Sequence, residues 1–148
     1  MADRRDSDPF ASYNFVVEIG GIQTAGFKEV TGLDSKIEVI DYREGGETMF
    51  PVRKLPGKVT YSNIVLKVGV TTSTELFDWH QQWVKSETTA ARKNLSIVLR
   101  HRNGDTEVRR WTIREAWPAN YMGPTFNAEA HEVAIQTLEL AHEGINLE

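Results

Sequence analysis

The side chains best suited to metal or acid–base chemistry are His80, His101, His131 and His142, and their distribution argues against both uses. They are scattered, without the close spacing that puts two imidazoles on one metal ion, and the chain has no cysteine to complete a zinc site. Each reads as a structural histidine. A Ser, His and Asp constellation could assemble from distant positions, since triads are defined by geometry, but no nucleophile elbow supports one. Gly57-Lys58 has the look of a phosphate loop, yet the position requiring the upstream glycine is Val52 and the lysine is followed by Val59 rather than Ser or Thr. No cofactor is expected, and a small β-barrel enzyme using His and carboxylates stands as an alternative without a motif behind it.

Positive charge offers more. Seven of the 17 Lys and Arg (Arg92, Lys93, Arg100, Arg102, Arg109, Arg110 and Arg114) fall within one short region, while acids dominate from Glu129 to Glu148. Arg100, Arg102, Arg110 and Arg114 could meet phosphates, as in a nucleic-acid-binding β-barrel module. The plainer reading, which we prefer, is a solvated strand face with cross-strand pairs such as Arg100 with Glu107. Trp79 and Trp83 could form an aromatic platform, but at helical spacing with Leu76 they read as core.

The elements that would position these residues are mostly strands. Phe15, Val17 and Ile19 alternate with Asn14, Val16 and Glu18, the period-two signature of a half-buried strand. Gly20-Gly21 predicts a hairpin returning through Ile22 to Val30, with Gly26 at a bulge or close contact. Further strands are expected at Ile37 to Arg43 and Lys58 to Val68. Thr72 with Glu75 fits a capping box, opening a helix whose apolar stripe is Leu76, Trp79, His80 and Trp83. Leu95 to Arg102 alternates again, and Asn103-Gly104 is a strong hairpin turn signal that places Leu99 opposite Val108 and Arg100 opposite Glu107. Trp111 and Ile113 reach the face of Ile97 and Leu95 only through an extra residue, so a bulge is expected near Arg109 and Arg110. Ala116-Trp117-Pro118 should end that strand, and Val133 to Ala141 should be the last one.

This order predicts a mainly β chain, a β-sandwich or small β-barrel with one packed α-helix. At 148 residues and 40% hydrophobic content it can bury one core, so residues 1–148 are expected to form a single domain. The 26% of charged residues argues against disorder. No apolar run approaches the roughly 18 residues of a membrane span, and the polar start from Met1 to Asp8 is unlike a secretion signal. No membrane anchor is expected. The net charge of −4 predicts solubility, and the lack of cysteine leaves the redox compartment open.

Several stretches resemble one family when taken in order: Tyr13 to Ile19, Ala25-Gly26-Phe27-Lys28-Glu29-Val30-Thr31-Gly32-Leu33, Glu38 to Gly46 and Val52-Arg53-Lys54-Leu55-Pro56-Gly57. Glu75-Leu76-Phe77-Asp78-Trp79, Trp111 to Tyr121 and Val133 to His142 continue the match over nearly the whole chain. Together they resemble the tail tube (inner tube) proteins of contractile-tailed phages and extracellular contractile injection systems. The resemblance implies a fold similar to haemolysin-coregulated protein and a structural, non-enzymatic subunit whose hexameric rings stack into a hollow tube. Its implied partners are other copies of itself, a contractile sheath protein, baseplate or hub and tape-measure proteins, and a cargo of protein effectors or DNA in the lumen. It implies synthesis in a bacterial cytoplasm and incorporation into a phage tail or injection particle. The face carrying Arg100, Arg102, Arg110 and Arg114 would then meet the lumen or the sheath.

Two segments fall outside the regular pattern. Residues 1–12 lack periodicity and are expected to form a flexible N-terminal arm that orders against a neighbour through Pro9 and Phe10. Residues 44–57 form a long connection rich in glycine and proline, yet Met49, Phe50, Val52 and Leu55 would be costly to leave in water. With Arg53 and Lys54 supplying charge, the expectation is an inter-subunit assembly loop built on Gly45, Gly46, Met49, Phe50, Pro51, Val52, Arg53, Lys54, Leu55 and Pro56.

Overall fold

The structure is a computed structural model that describes residues 14–20, 26–43, 45, 52–101 and 106–148. In chain order the elements are β1 (Phe15–Ile19), β2 (Phe27–Thr31), β3 (Ser35–Tyr42), β4 (Arg53–Tyr61), β5 (Ile64–Gly69), α1 (Glu75–Val84), β6 (Lys93–Arg100), β7 (Glu107–Met122), β8 (Ile135–Ala141) and β9 (Gly144–Leu147). Seven strands form one continuous sheet in the order β1-β6-β7-β8-β5-β2, with β9 also on β7, and β3 and β4 pair separately. The described residues are mainly β with one helix, as expected.

The long sheet works as two layers because β7 changes partners. Its first part pairs with β6 and β9, and from Trp117 onward it pairs with β8. The corner lies at Glu115, whose φ of 53° is unusual for a residue with a side chain. Opposite it the register of β6 slips between Lys93 and Leu95, and Asn94 Oδ1 accepts the Glu115 N–H at 3.0 Å. Such irregularities bend a strand and let it switch sheets. Inward residues from both layers, among them Val17, Leu95, Ile97, Ile113, Ile64, Leu66, Leu138 and Leu140, make one buried core. Helix α1 covers a side of this core with Leu76 and Trp79, and the Trp79 indole donates to the Ala91 carbonyl at 2.8 Å.

Several local expectations are corrected. Strands β1 and β2 do not form a hairpin with each other: β1 pairs with β6 and β2 with β5, since each finds its apolar partners elsewhere in the core. The predicted strand from Lys58 to Val68 is two strands, broken at Ser62 and Asn63. The helix begins at Glu75 with Thr74 at its N-cap, not Thr72, and the Thr74 hydroxyl donates to Asp78 Oδ2 at 2.9 Å instead of capping the backbone. Strand β7 runs on past Pro118, whose missing N–H coincides with a register shift before Asn120. A further strand, β9, follows the expected last one. The expected bulge in the β6–β7 hairpin exists, but Leu99 faces Arg109 and Arg100 faces Glu107, so the extra residue is Val108.

Candidate assembly surfaces

Strands β3 and β4 stand outside the core, and every residue of β3 is exposed. Their pairing is antiparallel, from Ser35 with Tyr61 at the root to Tyr42 with Arg53 toward the tip. Alternation places Ile37, Val39, Pro56, Val59 and Tyr61 on one face and Ile40, Tyr42 and Leu55 on the other. The register shifts between Ile37 and Val39, where Gly57 and Lys58 of β4 stand against the single residue Glu38 of β3. Gly57 fits there because a Cβ would come 2.8 Å from Ile40 Cδ1. The Ile, Val, Leu and Tyr42 side chains of this arm are between 44% and 60% exposed, far from the burial that β-branched and aromatic residues ordinarily find in strands.

The irregular connection expected over residues 44–57 therefore ends at Val52, before β4 begins at Arg53. Arg53, Lys54, Leu55, Pro56 and Gly57 belong to β4, and β3 residues stand opposite the first four of them. Val52 is half-buried and Gly45 lies beyond the end of β3. Gly46, Met49, Phe50 and Pro51 lie outside the described residues, as do the expected N-terminal arm with Pro9 and Phe10 and Arg102 of the basic region. The two-sided apolar pattern of β3 escaped the sequence reading, although its signal was present: apolar residues occur at both odd (Ile37, Val39) and even (Ile40, Tyr42) positions.

The root of the arm is tied to the body. The His142 imidazole Nε2 lies 2.8 Å from the Ser62 carbonyl, and the His142 ring packs on Tyr61 with centroids 5.6 Å apart. Asn63 Nδ2 donates to Glu139 Oε1 at 3.0 Å. Chain entry and exit at Gly32 and Asn63 are in backbone contact.

The basic region folds onto the outer face of the β1-β6-β7 layer. The register brings Arg100, Arg110 and Arg114 to this face together with Glu18 and Glu107. Arg110 is held at 2.6 Å by Glu107 Oε1 and at 3.0 Å by Glu18 Oε2, and Arg114 Nη2 donates to the Glu143 carbonyl at 3.3 Å. The Arg110 guanidinium hydrogen bond holds Glu107 below the usual carboxylate range, and the same bond raises Arg110 further above neutrality. Arg110 is thus engaged by acids, unlike the open cationic track of a nucleic-acid module, and Arg100 faces Glu107 across the hairpin as the plainer reading anticipated.

A cleft of about 640 Å³ opens near β1 and β2, lined by Phe15, Phe27, Val30, Leu33, Ile97 and Trp111 among others. Among the described residues no group of His, Asp and Glu is placed to hold a metal, and no helix is long and apolar enough to cross a membrane.

Residues 11–146 match the family described as T4-like virus tail tube protein gp19. Among solved structures, the chain is similar to one in the PVC sheath–tube complex of an extracellular contractile injection system in its extended state. The TM-score is 0.82 at 29% identity, covering 97% of this chain and 93% of that one. A chain of the six-fold symmetrised baseplate of the anti-feeding prophage gives 0.83 at 26% identity, covering 96% and 97%. Hcp1 from Flavobacterium johnsoniae shares the fold, with a TM-score of 0.55 at 18% identity over 91% of this chain and 94% of that one. No curated protein sequence matches.

Proposed function

Because this chain belongs to the T4-like virus tail tube protein family, we propose that its copies form six-membered rings that stack into a hollow tube inside a contractile sheath. The single observation that carries the assembly reading is the exposed β3–β4 arm, whose apolar side chains have no place to go in an isolated subunit. The six-fold baseplate of a similar chain supports the ring size. The extended sheath–tube complex of another supports a sheath as the outer partner.

The role is structural rather than catalytic. Force comes from the sheath, and the tube acts as needle and conduit, with protein effectors or DNA as cargo and tape-measure and baseplate proteins at its ends. The subunit is made in the bacterial cytoplasm and works in the assembled particle. The assembly contacts are the segment 44–57 extended by the rest of the arm, with the N-terminal residues Pro9 and Phe10 meeting a neighbour. The Arg100, Arg110 and Arg114 face, with Arg102 beside it in sequence, meets the lumen or the sheath, and its paired charges let cargo or sheath slide past without tight binding.

Electron microscopy of the purified chain, alone and with the sheath protein of its gene neighbourhood, tests this. Six-fold rings and tubes are expected. A monomer that forms neither, at high concentration and with the sheath protein present, overturns it.

A further inference from the structure

We infer that in the unassembled subunit the segment Asp8-Pro9-Phe10-Ala11 seats in the chain's own cleft between β1 and β2, and must leave it before Pro9 and Phe10 can meet a neighbour in a tube. The seating concerns the free subunit and stands apart from the tube reading; only the release step rests on that reading. Strands β1 and β2 are the two ends of the path through the long sheet, and among the described residues each is paired on one side alone. Both ends line the same cleft of about 640 Å³. The cleft is therefore the seam at which the sheet fails to close on itself, with Phe15, Ile97, Leu99 and Trp111 on one wall and Phe27 and Val30 on the other. An unpaired edge beside an apolar cleft invites pairing with any passing chain. A free subunit gains from covering it with its own chain, since an intramolecular cover acts at a high effective concentration.

Position, composition and charge single out this segment as the cover. Asn14 is fixed at one end of the cleft: the Arg100 N–H donates to its carbonyl at 2.8 Å, and the next pair along the strands, Phe15 with Leu99, lines the cleft. Four residues of chain reach about 14 Å, so Phe10 can turn back from Asn14 onto that wall. The sequence here is Asp6-Ser7-Asp8-Pro9-Phe10-Ala11, in which two carboxylates come directly before a short apolar run. The cleft has the matching polarity. The register of β2 shifts between Phe27 and Glu29, which makes Lys28 an extra residue against β5, and Lys28 is among the residues that line the cleft. Glu29 is engaged by Lys67 at 3.1 Å, whereas among the described residues no acid pairs with Lys28. An apolar cleft with such a cation beside it fits an aromatic side chain preceded by a carboxylate, and Phe10 with Asp8 supplies both.

The natural absence of cysteine makes a direct test available. A nitroxide attached to Ala11→Cys, in the full chain kept too dilute to assemble, broadens the NMR signals of methyl groups close to it. Loss of the Val30 and Leu99 methyl signals is expected, and their return when Phe10→Ser is added. Lys28→Glu should restore them as well, and Asp6→Lys/Asp8→Lys in that same chain should remove them again. Circular dichroism checks the fold of each variant. A mixture of nitroxide-bearing chains without isotope label and isotope-labelled chains without nitroxide should show no loss. Signals intact in the first sample, a loss unchanged by Phe10→Ser or by Lys28→Glu, or an equal loss in the mixture, where a second copy fills the cleft, would each overturn the seating. For the release step, Ala11→Cys/Thr31→Cys is locked by a short cleavable bridge between the two thiols. The locked subunit should form no tubes until the bridge is cleaved, and normal tubes from it contradict release. Wild-type chain that forms no tubes takes down the tube reading and the release step, while the methyl signals of the dilute subunit still decide the seating.

Discussion

The Cα of Gly32, at φ +95°, lies against the backbone of Asn63 so closely that a Cβ would collide with the Asn63 carbonyl oxygen. This contact joins the two ends of the arm where it leaves the body, and it sets the direction in which the arm projects. Gly26 also has a positive φ, +87°, but among the described residues nothing lies within 4 Å of its missing Cβ. Gly26→Ala should therefore cost only backbone strain, about 1–2 kcal/mol. Gly32→Ala should cost more than Gly26→Ala, because the Asn63 backbone must also move. Denaturant unfolding of the two variants side by side measures the difference.

The helix offers a second contrast. Trp79 is fully buried and its indole N–H is satisfied by Ala91, whereas Trp83 is only half-buried and packs on Trp117 with ring centroids 5.5 Å apart. Trp79→Ala is expected to cost about 3–5 kcal/mol through the cavity it leaves. Trp79→Phe should still lose about 1–3 kcal/mol by stranding the Ala91 carbonyl. Among the described residues the Trp83 indole nitrogen has no partner, so Trp83→Phe should be close to neutral. Thermal unfolding of the three variants checks the ranking.

At the β7 corner, Glu115 holds a left-handed backbone angle and donates its N–H to Asn94 Oδ1. Asn94→Ala should destabilise by about 1 kcal/mol, with water recovering part of the lost bond. Glu115→Gly should be neutral or stabilise by up to about 1 kcal/mol, because glycine removes the strain at the expense of a more flexible unfolded chain. Opposite signs in chemical denaturation are the signature to look for.

The Glu107–Arg110 pair predicts an acid dependence. The hydrogen bond from Arg110 depresses the Glu107 pKa in the folded chain, so its contribution is complete above the ordinary glutamate value and is lost as pH falls through the lower folded value. Both side chains touch solvent, so the effect on global stability should be small. The readout is a carbon-detected NMR titration of the free subunit, in which Arg110→Gln should move the Glu107 midpoint upward. An unchanged midpoint would contradict the pairing.

Much of this molecule was legible in its sequence. Period-two alternation located β1, β3 and β6, helical spacing placed Leu76 and Trp79 on a buried stripe, and the count of residues between Leu95 and Ile113 required a bulge. The ordered motifs indicated the tail tube family, which the match over residues 11–146 bears out. These features are local: a side chain's direction along a strand or helix follows from a few neighbouring backbone angles, and an amino-acid string records them directly.

The pairing of strands was decided only in three dimensions. Gly20-Gly21 reads as a hairpin turn, yet β1 lies against β6 and β2 against β5, because partner choice depends on which distant apolar faces share the core. Cross-strand pairing on the basic face was legible, but Glu18 as a partner of Arg110 was not, because it lies 92 positions away in the chain. The β3–β4 arm is the sharpest case. Its apolar residues occur on both faces, and the same Ile, Val and Leu residues would be core in one topology and surface in another. Only the tertiary arrangement leaves both of its faces in water, since burial is set by how the whole chain folds around a segment and not by the segment itself.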